Sequence, residues 1–235
     1  PAGLPVHPSA SYHRNTLTFL LRERYPERTP HLAHRLDRET SGVLVCARTL
    51  EDERALKRSF ERREVSKRYL AIARGRLPDD EGHVDLPLGR PDEGLHLLMV
   101  VREDGLPSRT RYRVVARAPE HTLVALEPET GRQHQLRVHL AALGHPIVGD
   151  KLYGPEGTSA FLENIETGMT PELEARLGHS RQALHAHGLT ITHPRTGDPI
   201  DLTAPLAPDL VALWERVGGT VPPAVCSIDP TAART

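Results

Sequence analysis

Cysteine is scarce: Cys46 and Cys226 are the only two in 235 residues. A pair so few and so far apart rules out a disulfide framework and a thiolate metal set, and fits a reducing, cytoplasmic setting. Aromatic residues make up 4% of the chain, so any ring stacking must rest on a handful of positions. No run approaches the length of a membrane span, and no charged stretch followed by an apolar one marks the start, so no membrane partner is expected. Neither sign of charge dominates: the formal net charge of −1 gives no whole-molecule pull on a polyanion. Phosphate-cradling glycine loops and nucleotide-cofactor motifs are absent, and Ser41 sits in no nucleophile elbow, so no cofactor is expected.

What remains is an ordinary globular composition, 38% apolar and 26% charged, long enough to bury a sizeable core. Local charge is less even than the total. Arg54, Lys57, Arg58, Arg62, Arg63, Lys67, Arg68, Arg74 and Arg76 crowd one region, whereas Glu156, Glu163, Glu166, Glu172 and Glu174 lie in another. A basic face on a neutral chain is a usable footprint for a polyanion, although charge runs are more often plain solvated surface.

One stretch organises the rest: His34-Arg35-Leu36-Asp37-Arg38-Glu39-Thr40-Ser41-Gly42, feeding into the apolar run Val43-Leu44-Val45-Cys46-Ala47. Gly42 tolerates positive φ, and Ser41 and Thr40 can bond their own backbone, so the single acid sits on a held loop. Guanidinium groups on both sides favour the ionised carboxylate, ready to act as nucleophile, base or anionic anchor. The plain alternative is an Asp37 that caps a turn and pairs with Arg35 or Arg38.

Periodicity gives the frame. Asn15 is expected to cap a helix bearing Leu17, Leu20 and Leu21 on one face, and Val43–Ala47 to form a strand. A helix over Asp52–Glu64 buries Leu56 and Phe60. Lys67–Gly75 alternates as a strand, and weaker strands over 84–88, 97–101, 110–117 and 121–126 suggest an antiparallel meander. Thr130-Gly131 opens a helix with Leu136, Leu140 and Leu143 in one stripe and a stop at Gly144 and Pro146. Thr170-Pro171 begins a short helix, Leu184–Thr192 a strand, and Asp209–Val217 a last helix. The order reads as α+β: a mixed, mostly antiparallel sheet with helices packed on it. One domain is expected over 1–219, with a frayed tail over 220–235; because the chain opens at Pro1 rather than Met, a preceding strand is expected to be missing.

With 14 histidines, metal binding needs testing. His134 and His139 are five apart, which does not align them on a helix face, and no glutamate stands beside the first. His185 and His187 share a strand face, but the two cysteines are too far apart to complete a zinc set, so no metal is expected.

Six blocks then complete a pattern: Pro-Ala-Gly-Leu-Pro-Val-His-Pro at 1–8, His-Arg-Leu-Asp-Arg-Glu-Thr-Ser-Gly at 34–42, Lys-Arg-Tyr-Leu-Ala at 67–71, Thr-Gly-Arg-Gln-His-Gln-Leu-Arg-Val-His-Leu-Ala at 130–141, Gly-His-Pro-Ile-Val-Gly-Asp at 144–150, and Leu-His-Ala at 184–186. In this order they resemble the RluA-type pseudouridine synthases, which isomerise uridine in ribosomal or transfer RNA. The resemblance implies a catalytic domain with a cleft across the middle of its sheet. Asp37 matches the family's catalytic aspartate and Tyr69 the tyrosine that stacks on the target base. Arg137 matches the arginine that pairs with the aspartate, Leu184 the apolar residue lining the uracil pocket, and Arg35 the arginine beside the acid that helps hold the RNA. Each also has a plain reading: Tyr69 as a sheet residue, Leu184 as core, Arg137 as helix cover and Arg35 as a solvated neighbour. The resemblance further implies RNA, ribosomal or transfer, as partner, no DNA, and a monomer as the default. Asp37 then acts as nucleophile or as the base that starts elimination, and the two stay open. The rival reading is a non-catalytic RNA-binding or ribosome-assembly protein on the same scaffold. Gln133 departs from the family's usual threonine, and Pro155–Arg181 is an insert that reads as lid, specificity element or neither.

Overall fold

The structure is a computed structural model that describes residues 1–6 and 14–225. His7, Pro8, Cys226 and the rest of the expected tail beyond Val225 lie outside the described residues.

In chain order the elements are α1 (Leu17–Arg24), β1 (His31–Leu32), β2 (Ser41–Gly42), β3 (Cys46–Ala47), α2 (Leu50–Glu61), β4 (Ser66–Arg74), β5 (Glu81–Asp85), β6 (Leu88–Gly89), β7 (Val100–Val101), β8 (Arg109–Arg117), β9 (His121–Pro128), α3 (Gln135–Ala142), α4 (Thr158–Thr167), α5 (Pro171–Leu177), β10 (Leu184–Thr192), β11 (Pro199–Thr203) and α6 (Pro208–Arg216). β4 lies at the middle of the main sheet because Leu70, Ala71, Ile72 and Ala73 are all buried, so both of its faces must be covered. The sheet runs β11-β10-β4-β9-β8-β5, with every neighbouring pair antiparallel. The exception is β2, which joins β10 in parallel and pairs Ser41 with His185 and Gly42 with Ala186. The fold is therefore the expected α+β arrangement.

The principal core gathers Leu70, Ile72, Leu123, Leu126 and Leu140 with Leu210, Leu213 and Trp214 of α6. Burial of each such side chain contributes about 1.5–3 kcal/mol against chain entropy. A second cluster packs α2 through Leu56 against Val45, Ala47, Leu189 and Ile191.

Three expectations are corrected. Val43–Ala47 is not one strand: β2 ends at Gly42, and β3 pairs separately with β1, His31 to Ala47 and Leu32 to Cys46. Its apolar run is buried by packing rather than by continuous ladder bonding. The helix expected from Thr130 starts at Gln135, because the Gln135 side chain accepts from Thr130 Oγ1 (2.7 Å) and the Arg132 backbone N–H (3.0 Å), folding 130–134 into a turn. α1 is capped by Thr16, not Asn15, through a 3.3 Å bond from the Phe19 N–H. β11 and α4 were not anticipated.

The Pro155–Arg181 insert folds largely as α4 and α5, with Ala160, Leu173 and Leu177 forming their own small core. Arg74, at the far end of β4, donates to the carbonyls of Arg176 (3.1 Å) and Leu177 (2.5 Å) and ties the pair to the sheet.

Candidate active site

Asp37 sits on a loop clamped from behind. Thr40 N–H closes a turn on the Asp37 carbonyl at 2.9 Å. Gln182 Nε2 donates to Thr40 Oγ1 at 2.8 Å, and Arg181 Nη1 and Nη2 donate to the Glu39 carbonyl (2.9 Å) and Ser41 Oγ (3.1 Å). Lys151 pairs with the Glu39 carboxylate at 2.7 Å. On the other flank, His34 Nε2 accepts the Val45 N–H at 2.9 Å, and its ring stacks on Phe60 at 4.7 Å. Burial, with Lys67 nearby, drops the His34 pKa to about 4, so the ring is the neutral acceptor this bond requires.

The cation that meets Asp37 comes from α3. Arg137 Nη1 donates to Asp37 Oδ2 at 3.4 Å, while its Nε and Nη2 form a two-pronged pair with Asp150, both at 2.7 Å. The guanidinium carbon also lies 4.9 Å from the centre of the Tyr153 ring. Asp150 is fully buried: burial pushes its carboxyl up, but the Arg137 hydrogen bonds and charge, with the N–H groups of Leu152 and Tyr153, hold it below the usual range. Arg137 thus arrives already paired and fixed in direction, with its Nη1 turned to Asp37. The Asp37 side chain keeps 33% exposure against 7% for Arg137, so the acid alone faces the opening.

His134 lies next to this pair. It adopts a left-handed φ of 55°, its Nδ1 is 2.7 Å from Tyr153 Oη, and its Nε2 is 4.0 Å from Asp37 Oδ2. Tyr153 Oη in turn accepts the Met99 N–H at 2.9 Å. Burial, with Arg137 close by, lowers the His134 pKa to about 4, so the ring is uncharged at neutral pH.

Asp37, Arg137, Tyr69, Leu184 and Arg35 all line one cleft of about 670 Å³. The structure brings the five together from four segments far apart in sequence. Tyr69 is partly buried on β4, and loss of water, together with the Asp37 charge, pushes its phenol up to about 12. It is a neutral ring at any ordinary pH. Leu184 is 4% exposed and supplies an apolar wall. Arg35 is exposed at the rim of the cleft. Lys57, Lys67 and Arg132 add positive charge to the lining, against Glu61 and Asp37.

The expected basic region is broken up. Lys67 lines the cleft, but Arg68 is tied to Asp201 at 2.6 Å, Arg74 to the insert, and Lys57 to Glu53 at 2.6 Å. Among the described residues, no three His, Cys, Asp or Glu side chains are grouped to hold a metal ion. Their helices include none long and apolar enough to cross a membrane.

The family described as RNA pseudouridylate synthase matches residues 1–142. The chain belongs to this family. It is 43% identical over 222 residues to ribosomal large subunit pseudouridine synthase D of Xanthomonas campestris, covering 92% of this chain and 65% of that protein. Identity to an RNA pseudouridine synthase of Chloroflexus aurantiacus is 42% over 216 residues, 89% of this chain and 62% of the relative. The chain therefore spans less than two thirds of either protein. Among solved structures, human RNA pseudouridylate synthase domain containing 4 superposes with a TM-score of 0.72 at 29% identity, covering 92% of this chain and 87% of that one.

The family match contains Arg35, Asp37, Tyr69, His134 and Arg137 and stops before Asp150 and Leu184. Asp150, His134 and Tyr153 were not anticipated as parts of the site. Asp150 closes the block at 144–150, and His134 lies inside the one at 130–141, where spacing tests it only as a metal ligand. Nothing local signals that an aspartate thirteen residues beyond Arg137 is its partner.

Proposed function

We propose that the chain isomerises uridine to pseudouridine within RNA, with large-subunit ribosomal RNA as the substrate class, in keeping with its similarity to ribosomal large subunit pseudouridine synthase D. The observation that carries this reading is the placement of one carboxylate, Asp37, between a pre-paired Arg137 and a cleft walled by Tyr69 and Leu184. The reaction breaks the N1–C1′ glycosidic bond, turns the uracil and forms a C5–C1′ bond; a proton leaves C5 and N1 regains one, so atoms and electrons balance without an external donor.

Each nominated group answers one demand of that sequence. Asp37 begins it, by attack at the anomeric carbon or by taking a sugar proton, and both require the anion that Arg137 favours. Tyr69 replaces the stacking that an extruded base loses, worth about 1–3 kcal/mol. Leu184 keeps water from the detached uracil, and Arg35 at the rim meets the backbone. Extrusion costs a few kcal/mol, which favours loops and unpaired uridines.

The test is Asp37→Asn, which keeps the shape and removes the reactive anion. Pseudouridine formation in large-subunit RNA is expected to fall to background, with unfolding midpoint and RNA affinity nearly unchanged. Product at a rate near that of the unsubstituted protein would remove Asp37 from the chemistry. Cells lacking the protein are expected to lose the modification; an unchanged pseudouridine map would favour the non-catalytic RNA-binding reading.

A further inference from the structure

Lys67 is a partly buried cation with no counterion among the described residues, whereas several other cations are closely paired. Buried Lys151 has Glu39 at 2.7 Å, Arg109 has Asp85 at 2.6 Å, and Arg117 has Asp80 at 2.6 Å. Lys67, partly buried, has only the Thr130 carbonyl at 3.5 Å among the described residues. Burial, and then the charge of Arg63, hold its pKa below the ordinary lysine range. A half-sunk ammonium beside a second cation is unfavourable in the free protein, and an arriving anion relieves it.

The surroundings give that anion a place. A recess of about 200 Å³ opens off the main cleft, with Arg63, Lys67 and Arg132 on its walls. Cleft and recess share Lys67 and Arg132, so the two adjoin. Two acids, Glu61 and Glu129, also line the recess, but three cations outnumber them, and Glu129 lies 3.8 Å from a fourth, Arg109. Lys67 and Tyr69 are two residues apart on one strand, which places them on the same sheet face about 6.6 Å apart. A base stacked on the Tyr69 ring would therefore carry its backbone past the Lys67 ammonium.

We propose that Lys67, with Arg63 and Arg132, forms a phosphate subsite that holds the RNA backbone beside the extruded nucleotide; this rests on the RNA-isomerase reading above. Ribose hydroxyls and neutral base edges do not relieve a buried positive charge, whereas a phosphate oxygen does.

The experiment uses a stem–loop RNA centred on a uridine found by pseudouridine mapping, with single neutral methylphosphonates placed in turn along the loop. Lys67→Met is expected to weaken binding by about tenfold and to reduce the slope of log affinity against log salt by about one. In the unsubstituted protein, one methylphosphonate flanking the target is expected to produce the same loss, and Lys67→Met is expected to feel no further loss from it. Lys67→Arg, which keeps the charge, should bind nearly as well as the unsubstituted protein and stay sensitive to that position. Arg76→Met, beyond the opposite end of β4, removes equal charge away from the cleft and should leave the coupling intact. If every methylphosphonate loss adds in full to that of Lys67→Met, or if Arg76→Met behaves identically, the subsite is refuted. Product formation is scored separately on the same RNA. Product without coupling would keep the isomerase reading and remove the subsite, whereas coupling without product would do the reverse.

Discussion

Asp150 shows how far a single buried carboxylate reaches. It binds Arg137 through Nε and Nη2 and leaves Nη1 for Asp37, so the charge at the cleft is aimed by a residue that is itself shut off from the opening. Asp150→Asn would strand a buried guanidinium against a neutral amide, and losing one partner of a buried pair costs about 3–5 kcal/mol. Urea unfolding of Asp150→Asn is expected to show a loss of that order, and a loss under about 1 kcal/mol would mean that Arg137 finds water instead. Arg137 itself was recognisable through its block in the sequence. Asp150 stood in a quoted block with no role, because a turn thirteen residues downstream carries no periodic signal that it faces back onto the helix.

At the scale of elements, the cleft depends on a contact two residues long. Gly42 has φ of 117°, and a Cβ built there would lie 2.2 Å from the Ala186 carbonyl oxygen, so β2 can approach β10 only without a side chain. Gly42→Ala is therefore expected to destabilise by more than about 2 kcal/mol and to lower pseudouridine formation by displacing the Asp37 loop. Gly144→Ala is the comparison: its φ is 82° but nothing lies within 4 Å, so only the left-handed backbone cost of about 1–2 kcal/mol is expected. Thermal melts of the two variants, with Gly42→Ala the more damaged, would confirm the distinction; equal losses would show that backbone conformation alone matters. β4 and β10 were legible as apolar runs of strand length, although both are buried on their two faces and neither alternates in burial. α3 misled the stripe argument. Six consecutive residues, Gln135 to Leu140, are all buried, whereas Leu143, counted in the stripe, is 39% exposed. A helix enclosed on all sides has no stripe to read.

For the molecule as a whole, acid is the expected weakness. His34, His134 and His185 are each held near a pKa of about 4, chiefly by burial, against about 6.5 in an unfolded chain. Between those values the unfolded state binds more protons, so this stability is complete above about pH 6.5 and declines as pH falls toward 4. Asp150, with its lowered pKa, adds a further loss below about pH 3.9, the unfolded value. Urea midpoints are expected to fall through pH 6.5 to 4, and His34→Gln, whose amide oxygen can still accept from Val45, should flatten that slope. A slope unchanged in this variant would show that His34 already titrates normally. By itself the sequence determined the α+β class, the main strands, the family and the five side chains nominated for the cleft. Those depend on local periodicity and on ordered blocks, which survive in a string of letters. Tertiary structure alone decided that Asp150 steadies Arg137, that His134 lines the cleft with Tyr153 bonded behind it, that Lys57, Arg68 and Arg74 of the basic run are held by internal partners, and that Lys67 has no counterion among the described residues. Partners of that kind are chosen by the close packing of distant segments, and distance along a chain does not encode distance in space.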